Sequence, residues 1–293
     1  MADLADFSLL TGVKAVLNPS GTIPDGLNAA IANSRGEIVI RVDARCDVAP
    51  NFVTTLVSKL DDPAIGSVGG AALVLDRGIF GSAYAVAFNS PLLGPSTYRY
   101  GAISGPTDTA YLGAWRRSDL EAIGGFDSRL IRNQDNELAS RIRATGKTIW
   151  YDADAVVGYR NGRGLKATLA HHREFGLWRM AQRSHGQAGF DRRHLVALGS
   201  AGGAALTGLG LLASPTGRKL VAATSAAAYV AAGAGAYRTA RRLRSKRPDI
   251  VGPDFHPVGV ALAPALATAI NASWLSGVIQ GRFMKPDETW SAR

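Results

Sequence analysis

The first half of the chain alternates short apolar runs with segments whose apolar residues recur every three or four positions. The run Glu37–Asp43 is β-branched and mostly apolar, which predicts a strand covered on both faces. Further strands are predicted over 65–75, 109–115, 148–151 and 155–159, and helices over 24–36, 51–60, 118–123 and 136–144. Residues 76–106 are weakly patterned and predict loops around a short helix. This alternation predicts an α/β fold with a mostly parallel sheet and flanking helices.

The pattern changes after residue 164. Residues 165–184 combine an apolar stripe with basic and aromatic side chains, which fits either a membrane-interface helix or an ordinary surface helix. Three charge-free runs follow, over 195–213, 220–237 and 258–281. A membrane-spanning helix needs about 20 apolar residues, which favours the first and third runs, because the second is mostly Ala and Gly. The predicted division is a soluble domain (1–162), an interfacial helix (163–193) and a membrane region (194–293) with two to three spans.

The basic residues cluster beside these runs. The chain has 33 Lys and Arg against 23 Asp and Glu, a net charge of +10, and six of the basic residues crowd residues 238–247. The positive-inside rule places this segment, and with it the soluble domain, in the cytoplasm. We therefore predict a multi-pass protein of the inner (cytoplasmic) membrane, with membrane lipid but no nucleic acid as a partner. The single cysteine, Cys46, excludes an internal disulfide framework and a Cys-rich zinc module.

Three places hold side chains suited to catalysis. Asp43 ends a predicted strand, where it either binds a divalent cation that bridges a diphosphate or caps the next turn; Asp47 is a possible second ligand. Asp135 begins a predicted helix, where it either accepts a proton from a hydroxyl or caps the helix, and spacing alone favours the cap. Arg179 suits a diphosphate and Trp178 a sugar or a lipid, unless both belong to an amphipathic interface.

Three separated segments together resemble a known enzyme family. They are GLNAAIANSRGEIVIRVDARCDVAPNFV, then YLGAWRRSDLEAIGGFDSRLIRNQDNELASRIRATGKTIWYDADAVVGYR, then REFGLWR. In this order they resemble a family 2 glycosyltransferase of the GT-A fold, in the membrane-bound succinoglycan-biosynthesis (ExoA-like) subgroup. The resemblance covers residues 18–183, and the apolar C-terminal region fits it.

The resemblance implies an inverting, metal-dependent transfer of a sugar from a nucleotide-sugar donor to a lipid-linked or polysaccharide acceptor. Asp43 matches the metal-binding aspartate, for Mg²⁺ or Mn²⁺, and Asp135 matches the catalytic base. Trp178 and Arg179 match the interfacial motif that contacts diphosphate and acceptor. The other residues that the resemblance associates with donor or acceptor are Arg45, Asp108 and Gln134, the last of which stands where the family has Glu.

The chain departs from the family pattern in two ways. Arg45 stands where the family often carries a second metal ligand, and a contact with the diphosphate is the role open to it. The chain also begins near the family's third strand, so we expect the nucleobase-binding unit to be missing. An alternative follows from this, namely a truncated, non-catalytic membrane protein that serves as a pseudoenzyme or partner subunit. A small transporter is disfavoured because the apolar runs hold no ionisable residue.

Overall fold

The computed structural model describes residues 12–130, 132–184, 192–210, 215–251 and 254–283. Its strands are β1 Ile38–Ile40, β2 Cys46–Asp47, β3 Ile65–Val74, β4 Gly105–Thr107, β5 Tyr111–Arg116 and β6 Thr148–Tyr159. Its helices are α1 Ile23–Ala32, α2 Phe52–Lys59, α3 Gly78–Phe88, α4 Thr97–Tyr100, α5 Arg117–Ala122, α6 Gln134–Ala144, α7 Leu165–Ser184, α8 Arg192–Gly210, α9 Pro215–Arg244 and α10 Pro257–Phe283. A short 3₁₀ turn covers Pro91–Leu93.

The strands form one mixed sheet in the order β1-β5-β3-β6-β2, with β4 beside β6. β3 and β6 run parallel, whereas the other four pairs are antiparallel. The predicted α/β sheet with flanking helices is confirmed, but the expectation of a mostly parallel sheet is wrong. An alternation of strands and helices does not determine whether neighbouring strands run parallel or antiparallel, because each strand can begin at either end of the sheet. Here the segment between β3 and β5 returns the chain so that β5 runs against β3.

Residues 148–159 form one strand, not the two short strands that the sequence predicts. The sequence pattern is interrupted by Asp152, which is buried. Its Oδ1 accepts hydrogen bonds from the backbone N–H groups of Asp154 (2.9 Å) and Ala155 (3.3 Å). The carboxylate thus satisfies backbone donors near the register shift between β3 and β6, so the strand continues through the polar residue.

The sequence predicts a short helix among loops over residues 76–106, whereas α3 is a buried helix of 11 residues. It lacks amphipathic spacing because it is covered on several sides. Its residues Ala83 and Val86 share a core with Val74 of β3 and with Ala263 and Ile270 of α10. Helix α10 is therefore part of the core that supports the sheet.

Two helices in the described residues, α9 and α10, are long and apolar enough to cross a membrane. Helix α8, which covers most of the first predicted run, is not among them, and residues 211–213 of that run lie outside the described residues. Within α10 more than a third of the most apolar stretch is buried against the rest of the protein, whereas α9 is almost entirely exposed.

The basic segment after α9 contacts the sheet. Arg247 is buried, and its Nη1 donates to the backbone oxygen of Val156 in β6 at 2.7 Å while its Nη2 pairs with Asp249 at 2.8 Å. Lys246 donates to the oxygen of Ala153, also in β6, at 2.7 Å. Part of the basic charge that the sequence assigned to the membrane boundary therefore fixes this segment on the sheet.

Candidate active site

A cavity of about 330 Å³ lies where the ends of β1, β5 and β6 face helices α6, α7 and α10. Three of the residues predicted from the sequence line it, namely Asp43, Asp135 and Arg179. They come from the segment after β1, the first turn of α6 and the middle of α7. The fold thus brings together side chains that are far apart in the sequence.

Asp43 is held by an arginine that the sequence analysis did not single out. Arg41 lies two residues earlier, and its Nε and Nη2 donate to the two carboxylate oxygens of Asp43 at 2.7 and 3.1 Å. Burial alone lowers the pKa of Arg41, but the hydrogen bond and charge of Asp43 and the charge of Asp135 outweigh it and raise that pKa above its usual value. Arg41 therefore stays charged between two carboxylates.

Asp135 is exposed in the first turn of α6, whose N-cap residue Asn133 has a left-handed backbone (φ 61°). The Oδ1 atom of Asp135 accepts a hydrogen bond from the backbone N–H of Asn136 at 2.9 Å. The other acidic residue of this turn, Glu137, is buried and pairs with Arg141, whose Nε lies 2.5 Å from Oε1. Of the two carboxylates, only that of Asp135 lines the cavity.

Helix α7 contributes four residues to the cavity lining: His171, Phe175 and Arg179, which are spaced four apart, and His172. The rings of His171 and Phe175 lie 4.5 Å apart, edge to face. Burial lowers the pKa of His171 to about 3, and the nearby arginines Arg163, Arg132 and Arg45 add to this effect. His171 is therefore neutral at pH 7.

Helix α10 closes one wall of the cavity with Ile270, Asn271 and Trp274. The Nδ2 atom of Asn271 donates to the backbone oxygen of Leu92 at 3.0 Å, which fixes the amide in place. The helix predicted as the third membrane run thus contributes directly to the cavity.

Tyr111 of β5 lines the cavity beside Asp43 and shares a hydrogen bond of 3.2 Å with the Sγ of Cys46. Burial, with the adjacent Cys46 and the charge of Asp43, raises the pKa of the Tyr111 phenol. The phenol therefore stays protonated.

The other four predicted residues do not line the cavity. Trp178 is buried and packs against Leu130, and Gln134 is also buried. The side chain of Asp108 is 89% exposed and lies 3.5 Å from Arg143. Arg45 is exposed at the edge of the sheet.

Carboxylate oxygen is the ligand that Mg²⁺ and Mn²⁺ prefer, and Asp43 offers one at the cavity wall. The described residues contain no cluster of three His, Cys, Asp or Glu side chains that could enclose a metal ion. Mg²⁺ is commonly held by one or two carboxylates together with substrate phosphates, so Asp43 fits an ion that arrives with a diphosphate.

Over 146 residues the chain is 29% identical to the succinoglycan biosynthesis protein ExoA of Rhizobium meliloti (strain 1021), an alignment covering 48% of this chain and 44% of that protein. The chain thus matches less than half the length of this relative.

Two solved structures are similar at low TM-score. A mannosyltransferase, PcManGT from Pyrobaculum calidifontis, in complex with GDP-Man and Mn²⁺, gives a TM-score of 0.41 at 18% identity, covering 89% of this chain and 66% of that one. GalNAc-T7 with UDP, GalNAc and Mn²⁺ gives 0.38 at 15% identity, covering 55% and 37%.

The model of glycosyl transferase family 21 matches residues 25–251. The match spans the sheet, the cavity residues of α6 and α7, and the basic segment after α9. It confirms the glycosyltransferase resemblance that the sequence motifs predict. The chain belongs to glycosyl transferase family 21.

Proposed function

We propose that the protein transfers a sugar from a nucleotide-sugar donor to a hydroxyl group of a lipid-linked or polysaccharide acceptor, with inversion at the anomeric carbon. The observation that carries this proposal is the convergence of Asp43, Asp135 and Arg179 on one cavity. A base, an anchor for a cation and a cationic side chain for a diphosphate are the groups that such a transfer uses.

In the proposed reaction Asp135 accepts the proton of the acceptor hydroxyl as its oxygen attacks the anomeric carbon. The bond between that carbon and the diphosphate oxygen breaks, and the nucleoside diphosphate leaves with the electron pair. Because attack and departure occur on opposite faces, a single displacement inverts the configuration. Asp135 is exposed in the cavity, so an acceptor hydroxyl can reach its carboxylate.

The negative charge of the leaving diphosphate is stabilised by Arg179 on α7. Asp43 is the proposed ligand of a divalent metal ion, Mg²⁺ or Mn²⁺, which supplies Lewis-acid stabilisation of the diphosphate when bound. Arg41 donates hydrogen bonds to both oxygens of the Asp43 carboxylate, so an ion that binds Asp43 shares or replaces at least one of these bonds. Trp178 supports Arg179 by packing the same helix against Leu130.

We also propose that the protein works at the cytoplasmic face of the inner membrane. The layout is a catalytic domain over residues 1–162, an interfacial helix over 163–193 and a membrane region over 194–293. Helices α9 and α10 have the length and apolar composition of membrane spans. Since α10 also lines the cavity, an acceptor carried by a membrane lipid would meet the donor at a site built partly from a membrane helix.

The test is transfer by the full chain in native membranes, with a panel of UDP- and GDP-sugars. Asp135→Asn keeps the size of the side chain and removes the base, and should lower the rate by about 10²–10⁴-fold. Asp61→Asn, at an exposed carboxylate outside the cavity, is the matched control and should keep the wild-type rate. Unchanged activity of Asp135→Asn would remove the assigned base, whereas no turnover by the wild type would favour the non-catalytic alternative.

A further inference from the structure

Two arginines at the edge of the cavity share one buried asparagine. Asn161, which follows β6, is 1% exposed. Its backbone oxygen accepts a hydrogen bond from Nη1 of Arg45 at 3.0 Å, and its Oδ1 accepts one from Nη1 of Arg163 at 3.1 Å. Both guanidinium groups are thus tied to a single neutral residue.

Asn161 is itself rigidly placed. The carboxylate of Asp76 accepts hydrogen bonds from the backbone N–H groups of Asn161 and Gly162, both at 2.8 Å. The Nδ2 of Asn161 donates to the hydroxyl of Thr168, in the first turn of α7, at 3.2 Å. The two arginines are therefore bound to a residue that Asp76 and Thr168 hold in place.

This arrangement leaves two positive charges without a carboxylate in direct contact. In the described residues neither Arg45 nor Arg163 forms an ion pair with Asp or Glu, whereas the intervening Arg160 pairs with Asp47 at 2.9 Å. Each guanidinium carries five N–H donors, so most of them remain for another acceptor. Two like charges held together by a neutral acceptor repel each other, and an anion would relieve this repulsion.

Neither arginine lines the cavity, but Arg163 contacts a residue that does. That residue is Tyr159, whose hydroxyl lies 3.4 Å from Arg163. Arg45 lies two residues after Asp43, and both arginines contribute to the positive surroundings of His171 on the cavity wall. Arginine suits phosphate oxygens because its planar group donates two parallel hydrogen bonds.

We propose that Arg45 and Arg163, anchored on Asn161, form a binding site for a diphosphate group. Arg45 and Arg163 contact the ligand, and Asn161 is a positioning residue. The proposal rests on the proposed function for its place in the reaction, since the diphosphate belongs either to the nucleotide-sugar or to a lipid carrier.

The experiment is calorimetric titration of the full chain in detergent with inorganic pyrophosphate, with EDTA present so that no metal contributes. Arg163→Gln and Arg45→Gln should each raise the dissociation constant by roughly tenfold or more. Arg160→Gln, which removes the same charge beside Asp47, should leave it within about twofold, as expected for an exposed pair. Asn161→Ala should weaken binding while both arginines remain, and its melting temperature shows whether it folds.

The proposal is overturned if the wild type does not bind pyrophosphate, or if Arg163→Gln binds it as tightly as the wild type. The same titration with UDP or GDP, and with geranyl diphosphate, then shows whether the diphosphate belongs to the nucleotide-sugar or to a lipid carrier. Only the matching ligand should lose affinity in Arg163→Gln. Binding through Arg163 without transfer from any nucleotide-sugar would contradict the proposed function and leave this site standing. Transfer by the wild type, together with unchanged KM values for donor and acceptor in Arg163→Gln, would support the proposed function and contradict the diphosphate site.

Discussion

The backbone of Gly277 in α10 lies directly against the carbonyl oxygen of Arg173 in α7: a Cβ at position 277 would lie 1.9 Å from that oxygen. The contact is reciprocal, because a Cβ on Gly176 of α7 would lie 2.0 Å from the carbonyl oxygen of Trp274. The two helices can approach this closely only where neither residue has a side chain. Both helices line the cavity, so this contact fixes the spacing of two parts of its wall.

Gly277→Ala is therefore expected to destabilise the protein by about 1–3 kcal/mol, because the added methyl group meets backbone that cannot move aside. It should also lower transferase activity, because α10 carries Asn271 and Trp274 into the cavity. The measurement is the melting temperature together with the transfer rate. Gly235→Ala in α9 is the control, since a Cβ there meets nothing within 4 Å. An equally small effect of both substitutions would contradict the close-contact argument.

Three of the seven residues predicted from the sequence line the cavity. The positions of Asp43 after a β-branched strand and of Asp135 at the start of a helix made both of them candidates, but spacing alone favoured a cap for Asp135, and the family resemblance supplied both roles. Both residues line the cavity. The motif predicts a shared role for Trp178 and Arg179, but adjacent residues on a helix point about 100° apart, so they face different surroundings. Helical geometry alone could have separated them.

Other parts of the site depend on information that local patterns do not carry. Arg41 was detectable from the strand predicted over 37–43, in which residues two apart, such as Arg41 and Asp43, would share a face. His171 was also detectable by its spacing of four from Phe175. The wall made by α10 was not, because the pairing of α10 with α7 depends on close backbone contacts between distant segments. The antiparallel direction of β5 relative to β3 could not be predicted either, because it also depends on contacts between distant segments.

Trp178 provides a test of packing against ligand contact. Because it is buried against Leu130, Trp178→Ala should cost about 3–5 kcal/mol of stability. Trp178→Phe keeps most of the apolar contact and should retain the wild-type KM for the donor and acceptor. The measurements are the unfolding midpoint and the two KM values. A large rise in acceptor KM for a stably folded Trp178→Phe would show that the indole contacts the acceptor.

Stability should fall in mild acid. Burial lowers the pKa of His171 to about 3 and that of His172 to about 4, and nearby arginines add to both shifts. In the unfolded chain both histidines titrate near 6.5, so between pH 6.5 and 4 the unfolded state binds more protons. The contribution of the two histidines to the free energy of unfolding is complete above pH 6.5. It decreases as the pH falls, by at most about 1.4 kcal/mol per pH unit for each histidine.

The measurement is the unfolding midpoint between pH 7.5 and 4.5. His171→Phe removes one of the two titrating groups and should flatten this dependence. The exposed His256 is the control, and His256→Phe should keep the wild-type slope. A slope that is unchanged in His171→Phe would mean that His171 is accessible to protons in the folded protein.

Arg41 and a metal ion should compete for the same two oxygens. Arg41 donates to both carboxylate oxygens of Asp43, so an ion that binds Asp43 must displace or share at least one of these hydrogen bonds. Arg41→Gln removes the competing charge and should tighten Mn²⁺ binding in the absence of nucleotide by roughly tenfold, which corresponds to one charge-assisted hydrogen bond. The measurement is the electron paramagnetic resonance signal of free Mn²⁺ titrated with the full chain. Asp43→Asn should abolish the gain when combined with Arg41→Gln. If Arg41→Gln weakens Mn²⁺ binding, the guanidinium instead orients Asp43 for the ion, and the competition argument is wrong.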